Sequence, residues 1–132
     1  MTVEEDIRAI CAHNPFMQLL GVEPREMERD RMVFALTLND HLLNPYGIAH
    51  GGVLFSLADN TAGMAARGDG RSYVTLSSSF NFLRPGKAGD TIQAEAKVRR
   101  RGGAICYVNV DITDSAGELL ASGNSMFFCI EK

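Results

Sequence analysis

The sequence predicts an α+β domain in which an antiparallel sheet of about five to six strands curls around one long helix. Residues 51–67 carry the helix pattern, and apolar side chains cover most of its circumference. A surface helix shows a narrower apolar stripe, so this helix is predicted to be largely buried. Three strand-like segments of ten or more residues follow it in the chain. Those strands are the elements available to cover it.

The segments before the long helix predict two short helices and two strands. Thr2 followed by Glu5 is a capping-box pattern, and a helical repeat of apolar residues continues to about residue 13. An asparagine and a proline at positions 14 and 15 start a second short helical turn. Residues 23–28 are polar and extended in character, which predicts an edge strand, and residues 32–38 alternate as a strand does.

Four strands are predicted after the long helix, at residues 72–83, 91–101, 104–113 and 119–130. Taken in chain order they would form a meander. The Gly102-Gly103 pair is the firmest hairpin signal among the connecting turns. No repeat, low-complexity tract or linker divides the chain, so residues 1–132 are predicted to form a single domain.

Composition and charge narrow the classes of function. Apolar residues make up 45% and charged residues 22%, as in ordinary globular proteins, and the net charge of −3 argues against a nucleic-acid partner. The acidic N-terminus lacks the apolar core of a signal peptide, and no run approaches the roughly 18 apolar residues of a membrane span. Three scattered cysteines indicate neither a disulfide framework nor a zinc site. We therefore expect a cytoplasmic protein.

The start of the long helix and a carboxylate inside it form the candidate site. His50-Gly51-Gly52 leaves backbone N–H groups directed out of the positive end of the helix. Asp59 lies two turns further along, on a seam of small residues. The seam consists of Gly52, Ser56, Asp59 and Gly63. Polarising donors and a carboxylate are what acyl transfer needs, although Asp59 facing solvent or bonding to a loop would explain the pattern equally well.

The helix rise prevents these groups from acting together within one chain. Gly51 and Asp59 are eight residues apart, about 12 Å along the axis at roughly 1.5 Å per residue. A base or nucleophile must lie within roughly 3 Å of the atom it serves. Either the two groups are unrelated, or two copies of the helix meet antiparallel and each site takes one group from each subunit. The second option implies a homodimer.

His50 alone has two interpretations, a hydrogen-bonding loop residue or a general base. No second His or Cys lies at metal-ligand spacing, and the chain has neither a G-x-S-x-G elbow nor a P-loop. These features argue against a zinc site, a serine triad and a nucleotide-phosphate site.

Two segments resemble a known family. The pattern N-x-x-G-x-x-H-G-G-x-x-F-x-L-A-D, from Asn44 to Asp59, is similar to the PaaI-type (phenylacetate-pathway) branch of hotdog-fold acyl-CoA thioesterases. The later NFLRPGKAGD, residues 81–90, resembles the same branch, and the likeness runs from about residue 16 to the C-terminus. The resemblance implies a hotdog fold and dimers that often pair into tetramers. It also implies hydrolysis of acyl-CoA without metal or bound cofactor.

The resemblance further implies roles for individual residues. Asp59 is the nucleophile or the general base acting on water. The N–H of Gly51 or Gly52 at the facing helix end polarises the thioester carbonyl. Asn44 helps to place the water or the carbonyl, and His50 orients the loop and contacts the thioester.

Further contacts are implied on the strand that follows the helix and beyond it. Thr75 or Ser77 places a hydroxyl near the attacking water. Substrate-binding positions are Phe55, Phe82, Arg84 and Lys87. The Arg99–Arg101 cluster either meets CoA phosphates or is a solvated hairpin end. Phe16, Leu19, Leu20 and Phe82 either line an acyl pocket or pack in the core.

Two other functions stay open on the same fold. One is an acyl-thioester hydratase or dehydratase, whose relatives use a His with an acid at a different spacing. The other is a non-catalytic acyl-CoA binding or sensing domain. Release of free thiol distinguishes hydrolysis from both.

Overall fold

The computed structural model describes residues 1–131, and its elements follow the predicted order. The helices are α1 (Val3–Cys11), α2 (Pro15–Leu20) and α3 (Gly51–Ala66), with 3-10 turns at Asp40–Leu42 and Arg67–Asp69. The strands are β1 (Glu23–Glu28), β2 (Arg31–Thr37), β3 (Tyr73–Phe82), β4 (Thr91–Arg101), β5 (Ile105–Thr113) and β6 (Leu119–Cys129). The strand bounds agree with the predicted ones to within one residue.

All six strands form one antiparallel sheet in the order β1-β2-β4-β5-β6-β3. The predicted α+β architecture, a long helix wrapped by an antiparallel sheet, is confirmed, and β1 is an edge strand as its polar sequence predicts. The prediction that the last four strands form a meander is wrong for β3. Strands β4, β5 and β6 do follow one another across the sheet, whereas β3 lies at the far edge beside β6.

The connection between β3 and β4 explains this crossing. A hairpin between neighbouring strands usually has about two to five residues, but residues 83–90 form a longer segment along the end of the sheet. The N–H of Leu83 donates to the carbonyl of Leu120 on β6 (2.8 Å). At the other end of the segment, the N–H of Leu38, just after β2, donates to the carbonyl of Asp90 (2.8 Å). The segment is thus hydrogen-bonded to β6 at one end and to the end of β2 at the other. It leads the chain from β3, at the edge of the sheet, to β4, which lies between β2 and β5.

Helix α3 packs on the inner face of the sheet, chiefly against β2, β4 and β5. Its Leu57 and Ala62 are completely buried, as the wide apolar arc predicts. Ala94 and Ala96 are equally buried on the inner face of β4. Small residues on both surfaces let the helix approach the sheet closely, and the buried apolar area is the main favourable term in folding.

The C-terminal end of α3 lies one residue before the predicted end. The α-helix stops at Ala66, a 3-10 turn follows, and Gly70 in the left-handed conformation (φ 85°) ends that turn. Gly68, the predicted stop, is instead buried against the turn between β1 and β2, where a Cβ would lie 3.2 Å from the backbone nitrogen of Asp30. No helix within residues 1–131 is both long enough and apolar enough to span a membrane.

Candidate active site

The N-terminus of α3 presents one free amide group. His50 is the N-cap residue, and its Nδ1 accepts a hydrogen bond from the N–H of Gly52 (2.8 Å). The carbonyl of His50 accepts bonds from the N–H groups of Val53 (2.9 Å) and Leu54 (3.3 Å). Within residues 1–131, the N–H of Gly51 has no acceptor. Of the two predicted polarising donors, only Gly51 is therefore available to a substrate.

A cavity of about 440 Å³ opens beside Gly51. Its walls come from four residues between positions 48 and 54 and from residues 82–86, and they include Phe82 and Arg84, two of the predicted substrate contacts. Arg84 is largely exposed, and its guanidinium lies 3.6 Å from the carboxylate of Glu118. The cavity is therefore mainly apolar, with one cation at its exposed side.

The sequence did not identify three large aliphatic residues that line this cavity, namely Ile48, Leu54 and Leu83. Nothing in their pattern separates them from core residues, since each belongs to an apolar run. Only the crossing of residues 83–90 over the end of the sheet brings Leu83 beside α3.

Asp59 lies about two turns further along α3 and is partly exposed. Its Oδ1 accepts a hydrogen bond from the hydroxyl of Thr75 on β3 (2.9 Å). A smaller cavity of about 280 Å³ adjoins it, lined also by Gly63, Tyr73 and Phe127. No cation among residues 1–131 forms an ion pair with this carboxylate. One carboxylate oxygen is thus held by Thr75, and the other is free to accept a proton.

The structure separates the two hydroxyls that the sequence could not tell apart. Thr75 pairs with Phe127 and Ser77 with Met126, with a bulge at Leu76 between them. Phe127 faces the core and Met126 lies on the outer face, because successive strand residues point to opposite sides. Ser77 is therefore on the outer face of the sheet, away from Asp59. The prediction that Ser77 could face the site is therefore wrong, and Thr75 is the hydroxyl that contacts Asp59.

Gly51 and Asp59 line separate cavities of the same chain. The cavity beside Gly51 and the one beside Asp59 share no lining residue. The axial separation of about 12 Å on α3 agrees with this division. One chain alone does not bring the donor and the carboxylate to a common atom.

The model of the thioesterase superfamily matches residues 46–121, which is more than half of the chain. The chain belongs to the thioesterase superfamily. Acyl-coenzyme A thioesterase PaaI of Escherichia coli is 31% identical over 117 residues, covering 89% of this chain and 84% of that protein.

Solved thioesterase structures confirm the PaaI-like hotdog fold. The E. coli PaaI structure matches with a TM-score of 0.95 at 29% identity, covering 98% of this chain and 94% of that one. A hypothetical thioesterase from Streptococcus pneumoniae, solved with coenzyme A, matches with a TM-score of 0.82 at 31% identity, covering 85% and 88%. That bacterial protein was also solved with an aspartate or a threonine replaced by alanine. Those two positions are 16 residues apart, as Asp59 and Thr75 are in this thioesterase.

Asn44 holds the loop that precedes α3. Its Oδ1 accepts hydrogen bonds from the N–H groups of Tyr46 (2.9 Å) and Ile48 (3.3 Å). Gly47 in the left-handed conformation (φ 79°) completes this turn. The oxygen of Asn44 is therefore engaged within the loop, and only its NH₂ group can meet a water or a carbonyl.

The other predicted substrate contacts do not line the cavity beside Gly51. Phe55 packs edge-on against Phe80 of β3, with ring centroids 5.1 Å apart. Lys87 is exposed and lies outside the cavity wall beside Gly51. Arg99 and Arg100 are exposed, whereas Arg101 is bonded at the C-terminal end of α3.

Core packing accounts for only part of the predicted acyl pocket. Leu20 is 8% exposed and belongs to the core, but Phe16 and Leu19 are 50% and 73% exposed on α2. None of the three lines the cavity beside Gly51, whereas Phe82 does. Within residues 1–131, no cluster of three His, Cys, Asp or Glu side chains could hold a metal ion.

Proposed function

We propose that this protein hydrolyses acyl-CoA thioesters to a free acid and coenzyme A, at active sites that two subunits share. Its place in the thioesterase superfamily and its likeness to acyl-coenzyme A thioesterase PaaI support the reaction. The relative that was solved with coenzyme A supports coenzyme A as the thiol part of the substrate. The shared site rests on one observation, the separation of about 12 Å between Asp59 and the free amide of Gly51.

Each group has a defined part in the proposed reaction. Thr75 holds one oxygen of Asp59, and the other oxygen accepts a proton from the water that attacks the thioester carbon. The N–H of Gly51 of the partner subunit donates to the carbonyl oxygen as that oxygen gains negative charge. The C–S bond then breaks, the acid forms, and the departing CoA sulfur takes up a proton. Direct attack by the Asp59 carboxylate, through a mixed anhydride, would use the same two groups.

Strand β3 supports pairing with a second copy of the chain. Its ten residues carry no charge, and among the described strands it pairs only with β6. Val74 and Leu76 on this edge are 47% and 53% exposed. A long, uncharged edge strand pairs readily with another chain. A two-fold axis between two β3 strands makes the two α3 helices antiparallel, so that Asp59 of one subunit approaches Gly51 of the other.

The first test is the replacement of Asp59. We expect Asp59→Asn to lower kcat by about 10²–10⁴-fold, because an amide cannot accept the proton from water. The melting temperature and the oligomeric state should stay as in the wild type. Thiol release from aryl, short-, medium- and long-chain acyl-CoAs measures kcat and also identifies the preferred acyl group.

Asp40→Asn is the matched control, because Asp40 is an exposed aspartate whose side chain makes no hydrogen bond or ion pair within residues 1–131, so it should tolerate the change. Near-wild-type turnover of Asp59→Asn would remove Asp59 from the mechanism. Tight acyl-CoA binding without thiol release would favour a sensing domain. Gain or loss of water in the product would favour a hydratase or dehydratase.

We also place this activity in the cytoplasm. Cys11, Cys106 and Cys129 are buried free thiols. Unpaired cysteines of this kind are usual in a reducing compartment.

A further inference from the structure

A buried polar network joins the C-terminal end of α3 to the start of β3. Arg101 Nη1 donates to the carbonyl of Ala66 (2.7 Å) and to the Tyr73 hydroxyl oxygen (3.1 Å), and its Nη2 donates to the carbonyl of Ala65 (3.2 Å). The Tyr73 hydroxyl donates to Asp69 Oδ2 (2.6 Å). The side chains of Arg101 and Asp69 are only 14% and 7% exposed. The network thus connects the last carbonyls of the catalytic helix with the first residue of β3.

Charge and burial keep this network in one arrangement. The last carbonyls of a helix lack amide donors, and a guanidinium with a fixed fork of N–H groups satisfies two of them at once. Arg101 also forms an ion pair with Asp69 (2.9 Å). Burial, and the hydrogen bond to Asp69, raise the pKa of Tyr73, so the phenol remains a proton donor. Arg71 Nη2 also donates to the Tyr73 hydroxyl oxygen (2.8 Å), and Arg71 is in turn bonded to Asp69 (2.8 Å) and to the carbonyl of Gly103 (2.8 Å). The three polar partners of the Tyr73 hydroxyl are therefore themselves held in place.

The position of Thr75 depends on what holds this part of β3. Tyr73 and Thr75 lie on the same inner face, about 7 Å apart along the strand. The bulge at Leu76 follows directly and interrupts the pairing with β6. The second side-chain link between α3 and β3, the contact of Phe55 with Phe80, lies beyond that bulge. Besides the backbone pairing of residues 73–75 with β6, Tyr73 is therefore the side-chain anchor on the same side of the bulge as Thr75.

We propose that Tyr73 is a positioning residue for hydrolysis, whose hydroxyl, held by Arg71, Arg101 and Asp69, keeps Thr75 at hydrogen-bond distance from Asp59. Tyr73 adjoins the same cavity as Asp59 and acts on the carboxylate through Thr75. This role rests on the proposed function of Asp59.

The test is a double-mutant cycle on kcat. Tyr73→Phe keeps the ring and removes only the hydroxyl, so the fold should survive. We expect it to lower kcat about 5- to 10-fold and to leave KM within about twofold, because in the proposed mechanism Thr75 acts through Asp59. In a Thr75→Val background the same change should lower kcat no further, since the contact that it maintains is already gone.

Tyr107→Phe is the control, since Tyr107 lies on the outer face of β5 and should give wild-type kcat. A wild-type kcat for Tyr73→Phe, or an equal further loss in the Thr75→Val background, would overturn the proposal. Asp59→Asn in the same assay separates the two claims. If Asp59→Asn is inactive while Tyr73→Phe is normal, only the positioning role fails. If Asp59→Asn is active, or the wild type releases no thiol, the proposed function fails and the positioning role fails with it.

Discussion

Two neighbouring glycines at the start of α3 differ in the hydrogen bonding of their amide groups. The N–H of Gly52 is bonded to His50, whereas the N–H of Gly51 faces a cavity of about 440 Å³ without an acceptor among residues 1–131. The motif does not distinguish the two, because either glycine suits the first turn of a helix. The side chain of His50 makes the distinction by capping Gly52. In the proposed mechanism, His50 therefore acts through the backbone, by leaving the N–H of Gly51 as the free donor.

Gly51→Pro tests this assignment by removing a single N–H group. Gly51 is the first residue of α3, where proline is well tolerated. His50 already has the extended conformation (φ −64°, ψ 137°) that a following proline requires. A Cβ at position 51 would lie 3.8 Å from Phe82, which is ordinary contact. We expect a folded protein whose kcat for thiol release falls about 10²–10³-fold.

Gly51→Ala is the matched control, because it adds the same Cβ but keeps the N–H. Its kcat should stay within about threefold of the wild type. An equal loss in both variants would show that space beside Phe82 matters rather than the donor. Full activity of Gly51→Pro would exclude Gly51 as the polarising group.

At the scale of elements, the buried polar network between the end of α3 and the start of β3 depends on an ionised carboxylate. Burial alone would raise the pKa of Asp69, but hydrogen bonds from Tyr73 and Arg71 and the positive charge of Arg101 outweigh it and lower the pKa to about 2. A carboxyl group with a lower pKa in the folded state stabilises the protein above the unfolded pKa near 4. That stabilisation is lost as the pH falls toward 2.

Asp69→Asn should therefore destabilise the protein at pH 6 and progressively less at lower pH. A shift of roughly two pKa units corresponds to about 2.5 kcal/mol. Because the folded pKa is itself about 2, the destabilisation should shrink by about 2 kcal/mol between pH 6 and pH 2. Denaturant unfolding of wild type and variant at several pH values measures it. Asp40→Asn, at an exposed site, should show no such trend. A destabilisation by Asp69→Asn that is the same at both pH values would contradict an ionised Asp69.

Periodicity predicts the elements of this fold but not how β3 is placed. In β3 the apolar residues Val74, Leu76, Phe80 and Phe82 all stand at even positions, and simple alternation would put them on one face. The bulge at Leu76 shifts the alternation, so that Val74 faces outward while Phe80 and Phe82 face α3. The bulge arises from pairing with β6, a strand more than forty residues away in the chain. A local pattern contains no signal for it, and for the same reason Thr75 could not be chosen over Ser77.

At the scale of the whole molecule, the helix rise gives the one distance between candidate site residues that follows directly from the sequence. It separates Gly51 from Asp59 by about 12 Å before any fold is known. The structure adds that each group lines its own cavity and that β3 leaves a long uncharged edge. Both observations favour sites that are completed by a second copy. Neither could be obtained from periodicity, because both depend on the edge position of β3.

Mixed dimers decide whether the sites are shared. An Asp59→Ala subunit paired with a Gly51→Pro subunit forms one site that has both groups and one that has neither. Co-expression with two different affinity tags and tandem purification isolates this mixed dimer. Each parent homodimer should be inactive, whereas the mixed dimer should show about half the wild-type kcat per dimer.

The reverse pairing gives the opposite result if the sites are shared. A wild-type subunit paired with a subunit carrying both substitutions leaves every shared site with one missing group, so this dimer should be inactive. If each subunit held a complete site of its own, the second dimer would retain half of the activity and the first would have none. The two mixed dimers contain the same substitutions in equal number, so a general loss of stability would affect both alike. Only the arrangement of Asp59 and Gly51 between subunits can make one active and the other not.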